Sequence, residues 1–216
     1  MAYRRTENVA RRLAARRAAI LAAACAAAAE GGMAAVQIAP VAERAGIAAG
    51  TVYRYFPSKT ELVAASVAAL SAREIAAIER AAKAAPGPLS ALAAAIVTFA
   101  ARALAGRQLT FALTAEPVEP EIDAARRPYR RALAAQFERL IGNAVDGGHL
   151  PDQDVALAAS ALTGALSAGV VATPAAEHEP AKARVRVQML TLFALRGLGV
   201  VDARARGLVV QTALPE

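Results

Sequence analysis

Gly46-Ile47-Ala48-Ala49-Gly50-Thr51-Val52-Tyr53-Arg54-Tyr55-Phe56-Pro57-Ser58-Lys59-Thr60-Glu61-Leu62 is the stretch that decides how this chain is read. It follows a short apolar run, Val41-Ala42-Glu43-Arg44-Ala45, so the local pattern is helix, tight turn, second helix. Gly46 can adopt the left-handed conformation that ends the first helix and turns the chain. The second helix carries hydroxyls and aromatics where a core helix would carry aliphatics. Thr51, Tyr53 and Tyr55 can donate to phosphate oxygens, and unpaired N–H groups at a helix start add to them. Ser58-Lys59-Thr60-Glu61 fits a capping box, which starts a third helix directly after Pro57. From the residues this is a DNA-reading element fixed to a longer helix. The plainer alternative is a helical hairpin whose tyrosines are core aromatics.

The segment resembles the DNA-binding region of the TetR family of bacterial transcriptional repressors. The family pattern is an Ala-x-x-Ala-Gly turn, then Gly-Thr-x-Tyr-x-Tyr/His-Phe, then a Ser-Lys-x-x-Leu helix start. Here these stand as Ala42-Glu43-Arg44-Ala45-Gly46, Gly50-Thr51-Val52-Tyr53-Arg54-Tyr55-Phe56 and Ser58-Lys59-Thr60-Glu61-Leu62, within a close match over residues 33–63. The resemblance implies a ligand-responsive repressor that binds a palindromic operator in double-stranded DNA as a homodimer. A helical ligand- or protein-binding protein of the same fold without operator binding is the alternative. Thr51, Tyr53, Tyr55 and Lys59 are expected on phosphates, with Ala48, Ala49 and Gly50 against base edges and Arg54 as a polar reader. The family has Thr where this chain has Gln37, a poorer helix cap. Gln37 is carried as a candidate phosphate contact on that basis.

Charge placement agrees with a polyanionic partner. Residues 1–60 hold nine Lys/Arg against three Asp/Glu, while the other 156 residues hold sixteen against fifteen. Nearly all of the net +7 therefore sits beside the helix-turn-helix, where a DNA field would attract it. Arg16-Arg17 before an alanine-rich run, and Cys25 after Leu21-Ala22-Ala23-Ala24, imitate export signals. The same residues make an amphipathic helix with Val9, Leu13, Ile20, Ala24 and Ala28 on one face and Gly31-Gly32 at its end. A cytoplasmic protein is expected, and one cysteine allows no intrachain disulfide.

Length, an alanine-rich composition and the absence of strict period-2 alternation predict an all-α protein. Residues 1–57 are read as the DNA-binding domain and 58–216 as a helical bundle for effector binding and dimerisation. Leu62, Val63, Ser66, Val67, Leu70 and Ile78 mark a helix ended by Pro86-Gly87-Pro88. Leu92 to Leu104 mark the next, stopped by Gly106; Leu109, Phe111 and Leu113 mark a short piece before Glu116-Pro117-Val118-Glu119-Pro120. Tyr129, Leu133, Phe137, Leu140 and Ile141 mark a long helix to Gly147-Gly148, which Pro128 either kinks or opens. Val155 to Ala176 lacks charge and is mostly small residues, with Thr173-Pro174 ending its helix. A buried interface helix is expected there rather than a membrane span, paired with a helix over 181–196 carrying Val185, Leu192, Phe193 and Leu195. The resemblance implies that these two join their copies in a four-helix bundle. The tail after Gly199 reads as one more short helix with Leu208 and Val209.

Catalytic and metal constellations are nearly empty in the sequence. His149 lies in a Gly-Pro loop and His178 in Glu177-His178-Glu179, without ligands at helical spacing. No phosphate loop or nucleophile elbow appears. Neither an enzyme nor a cofactor is expected. The resemblance implies an effector pocket within residues 61–170. Phe99, Phe111, Tyr129, Phe137 and Thr163 are its candidates, because they put aromatic or hydroxyl groups on alanine-rich faces; plain core is the competing role for each.

Overall fold

The computed structural model describes residues 2–172 and 180–212, with side-chain environments given from residue 8. Thr173-Pro174 and Glu177-His178-Glu179 lie outside the described residues. Every regular element among the described residues is helical: α1 Ala2–Gly31, a 3-10 turn Met33–Ala35, α2 Ile38–Arg44, α3 Ala49–Tyr53, α4 Lys59–Ala84 and α5 Pro88–Ala105. These are followed by α6 Arg107–Thr114, α7 Pro120–Asp146, α8 Val155–Val171, α9 Pro180–Gly197 and α10 Asp202–Gln211.

Turn chemistry sets the small lobe. At the end of α2, Gly46 takes φ +64°. Its N–H donates to the Glu43 carbonyl at 3.0 Å, and the Ile47 N–H donates to that of Ala42 at 3.0 Å. This pair of bonds is a Schellman closure, and only glycine holds its pivot without strain. Val41, Ala42, Val52 and Phe56 point inward and are buried, so α2 and α3 share one small core with Ile20, Ala24 and Ala28 of α1. The Arg17 guanidinium sits 4.8 Å from the centre of the Phe56 ring, a cation–π contact that seals that core. Arg44 donates to both carboxylate oxygens of Glu30 at 2.7 and 2.6 Å, tying α2 back to α1.

The long helix α4 starts as its cap sequence requires: the Glu61 N–H donates to Ser58 Oγ at 3.1 Å. All six residues of its expected stripe are buried. Helix α5 is almost wholly interior and packs against α4, α7 and α9. It is long and apolar enough to cross a membrane, but 61% of it is buried within the fold. Helix α7 opens at Pro120 and runs through Pro128, which stands on its exposed side. There its missing N–H and ring meet no neighbouring element. One continuous apolar core runs from Ile20 on α1 to Ala205 on α10, so the boundary expected at residue 57 does not interrupt the packing.

Two apolar faces stand uncovered in the single chain. Val9 and Leu13 are both 52% exposed, since the N-terminal half of α1 has no neighbour laid along it. On α9, Val187, Thr191, Ala194 and Leu195 turn inward, whereas Val185, Met189 and Phe193 are 54–63% exposed. Those three stand four residues apart and form one stripe. Leu157 and Val171 on α8 are exposed too. Leu195 is core rather than a surface residue.

Candidate functional site

Two sites are built on this frame. The first is the outer face of the small lobe. With Val52 and Phe56 buried, the helical repeat turns the opposite side of α3 outward. Ala48, Ala49, Gly50, Tyr53, Arg54 and Lys59 are exposed, and Thr51 and Tyr55 are half-buried. Tyr55 also packs against the core edge, which fixes its ring. Eight of the nine residues expected at DNA thus lie on one short segment beside the start of α4. Gln37 behaves differently from the cap that the family pattern implies. It occupies the N-cap of α2 without a capping bond, and its Nε2 donates instead to the Ala34 carbonyl at 2.8 Å. A longer side chain overshoots the cap position that Thr would fill. Gln37 is exposed, but its amide is folded back on the 3-10 turn.

The second site is a cavity of about 280 Å³, partly open to solvent and lined by α4, α5, α6 and α7. Its apolar wall comes from Ile78, Phe99, Leu109 and Leu113. Its polar end is an ion-pair cluster that the sequence reading did not single out. Arg102 donates from Nε and Nη2 to the two oxygens of Glu74 at 2.6 and 2.7 Å. Arg73 Nε approaches Glu74 Oε1 at 3.3 Å. Tyr129 lines the same space, and burial together with the nearby Glu74 carboxylate pushes its phenol well above the usual tyrosine range. It is therefore a neutral donor at any physiological pH.

Of the five effector candidates, Phe99 and Tyr129 line this cavity; Phe111, Phe137 and Thr163 do not. Phe137 is fully buried and meets Phe99 edge-on, with ring centres 6.5 Å apart. Thr163 donates its hydroxyl proton to the Ala159 carbonyl of its own helix at 2.8 Å. Phe111 is half-buried on α6. A signal for the missed charges existed: Glu74 interrupts the apolar series Val67, Leu70, Ile78 at helical spacing. Arg126 likewise interrupts Ile122, Tyr129, Leu133.

A part-buried contact ties α6 and α7 to the small lobe. Glu116, just past the end of α6, accepts the Met33 N–H at 2.9 Å and the Ala34 N–H at 3.3 Å, both on the turn between α1 and α2. Arg126 of α7 is 2% exposed; its Nη1 donates to the Glu116 carbonyl at 2.6 Å, and its Nη2 lies 3.8 Å from the Glu116 carboxylate. Among the described residues, no group of three His, Cys, Asp or Glu side chains is placed to hold a metal ion.

Comparison with known proteins agrees with the geometry. Residues 20–66 match the family model described as bacterial regulatory proteins, tetR family. Over 39 residues the chain is 56% identical to the HTH-type transcriptional repressor KstR of Rhodococcus jostii, covering 18% of each protein. The KstR of Mycobacterium tuberculosis is 43% identical over 63 residues, 29% of each. The chain thus matches less than a third of the length of these curated relatives. Fold likeness extends much further. A structure of RolR with the ligand resorcinol superposes with a TM-score of 0.66 at 24% identity, covering 96% of this chain and 98% of that one. The fatty acid degradation regulator FadR of Bacillus halodurans gives 0.72 at 20% identity, covering 86% and 97%. Residues 20–66 thus carry a helix-turn-helix domain of the tetR family, and an all-helical body lies behind it.

Proposed function

We propose that the chain is a ligand-responsive transcriptional repressor that binds a palindromic operator as a homodimer and is released by a small molecule. The observation that carries this reading is the arrangement of α3. Val52 and Phe56 anchor it while Ala48, Ala49, Gly50, Tyr53, Arg54 and Lys59 face outward, on the lobe that holds nearly all of the net positive charge. Phosphate contacts from Thr51, Tyr53, Tyr55 and Lys59 would set register, and the methyl groups of Ala48 and Ala49 would lie against base edges. The exposed stripe Val185, Met189 and Phe193, with Leu157 and Val171, supports a dimer through α8 and α9, because a contiguous apolar face of this kind calls for a partner. The cavity supports an effector site, and its size favours a small occupant. A regulator of this kind works in the cytoplasm and needs no catalytic chemistry.

A gel-shift titration with the DNA upstream of the chain's own gene tests the reading. Salt-sensitive binding at nanomolar protein, lost in the variant Tyr53→Ala, is the expected result. Binding no tighter than to unrelated DNA would favour the helical binding protein without an operator.

A further inference from the structure

The free hydrogen-bonding capacity around the cavity is biased toward donors. Glu74 is the one carboxylate in its lining, and its two oxygens already accept three N–H contacts from Arg73 and Arg102. Two guanidiniums against one carboxylate leave one positive charge in excess at that end. Arg102 still has N–H groups beyond the two that grip Glu74, since a guanidinium carries five. Tyr129 is 5% exposed and lines the cavity, and its phenol supplies one O–H donor. Opposite this end the wall is hydrocarbon. At about 30 Å³ per water, the space holds roughly nine waters, or about ten carbon-sized atoms.

Resting on the effector reading above, we propose that the cavity takes a small carboxylic acid as its anion, the carboxylate at Tyr129, Arg102 and Arg73 and the apolar body against Ile78, Leu109 and Leu113. A cation would meet two guanidiniums, and a neutral donor would find the Glu74 oxygens already engaged. An anion takes the spare donors and the excess charge together. Its hydrocarbon part leaves water for the apolar wall, which supplies most of the affinity.

Calorimetric titration of the full-length protein tests this with paired probes: hexanoate, octanoate and phenylacetate, each beside its own amide. At least one acid is expected to bind about tenfold or more tightly than its amide. Glu74→Gln removes the lone negative charge with little change of shape, so it should widen that acid-to-amide ratio by strengthening the acid. Tyr129→Phe should weaken the acid by about tenfold and the amide by less, because a hydrogen bond to a charged acceptor is the stronger one. Thermal melts establish that both variants are folded, and the wild-type ratio stands without either of them. An amide that binds as tightly as its acid would overturn the anionic class and leave the cavity an effector site. If no probe binds at millimolar concentration, the inference falls. If operator binding by the same preparation is intact in that case, the DNA reading survives without this cavity as its switch.

Discussion

Removing the Glu116 carboxylate tests the tether between the two lobes. Glu116→Ala takes away the acceptor of the Met33 N–H, a charge-assisted bond at 2.9 Å in a part-buried place. Bonds of that kind contribute about 1.5–3 kcal/mol. The Ala34 N–H at 3.3 Å is exposed and can turn to water, so its loss counts for little. A larger effect falls on Arg126. Burial already lowers its basicity, and Glu116 is the leading influence that offsets it. Its Nε and Nη2 have no hydrogen-bond partner, so the nearby carboxylate is their main compensation. Breaking a buried pair by deleting one partner costs about 3–5 kcal/mol. At 3.8 Å, and with the Glu116 carbonyl still bound to Nη1, the lower half of that range applies here. Together the two losses come to about 4.5–7 kcal/mol against a total of roughly 5–15. That corresponds to a fall in melting temperature of about 9–28 °C for a chain of this size. Replacing Arg126 by Met in the Glu116→Ala background removes the stranded charge and should recover about half of the loss. Calorimetric melts of the wild type, both single variants and the double variant measure this cycle. A single variant that melts within about 2 °C of wild type, or a double variant showing simple addition of the singles, would refute the reasoning.

Lys59→Ala should weaken every DNA sequence alike and make the salt slope of binding shallower by about one; a changed operator preference at unchanged slope contradicts the phosphate role. Ala165→Glu places a charge on the exposed side of α8 and should split the dimer and abolish operator binding, read by sedimentation and gel shift. Gly169 is the poorer probe of that interface, because a side chain there would strike Leu190 of its own subunit 2.6 Å away. The buried Tyr129 phenol is held above its ordinary value of 10.0. The unfolded chain therefore loses that proton first, and stability present below pH 10 declines as pH rises further, by up to about 1.4 kcal/mol per unit. Tyr129→Phe should flatten this alkaline limb in melts from pH 9 to 11; an unchanged limb would mean the phenol is not buried as described.

Helices were legible because breakers punctuate the chain. Pro86-Gly87-Pro88, Gly106 and Gly147-Gly148 close elements where periodicity ends, and Ser58 opens α4 with a cap visible in the sequence. The outward side of α3 was legible for a similar reason: with Val52 and Phe56 buried, a short helix has one free side. Periodicity reports which face of a helix is apolar, not what covers it. Val9 and Leu13 share a face with buried Ile20 yet stand exposed, and on α9 the same periodicity does not separate the outward stripe from inward Leu195. The polar end of the cavity was hidden for another reason. Glu74 and Arg102 come from different helices, 28 residues apart, and only packing brings them together. Phe137 and Thr163 show the converse, since one distinctive side chain is core and the other is satisfied by the carbonyl of Ala159 on its own helix.

The arrangement of α4 and α6 makes a coupling between cavity and DNA a mechanical expectation. Helix α4 begins at the reader and carries Arg73 and Glu74 at the cavity, about 21 Å along its axis at ~1.5 Å per residue. A tilt of about 5° pivoting at the cavity would move the reader by about 2 Å on that lever. In a dimer the two shifts add, against recognition helices that must stand about 34–36 Å apart. Helix α6, which lines the cavity with Leu109 and Leu113, ends beside Glu116, the second hold on the small lobe. A ligand that fits one tilt better than the other needs only unequal affinity for the two states. Couplings of this kind are typically about 1–3 kcal/mol, or roughly 5- to 150-fold in operator affinity. By reciprocity, operator DNA must weaken the ligand by the same factor. Titrating the tightest acid with and without saturating operator measures both sides of that equality, and Glu116→Ala should shrink the coupling by loosening one of the two holds. Equal ligand affinity in the two titrations would leave a DNA-binding protein whose cavity does not report to its reader.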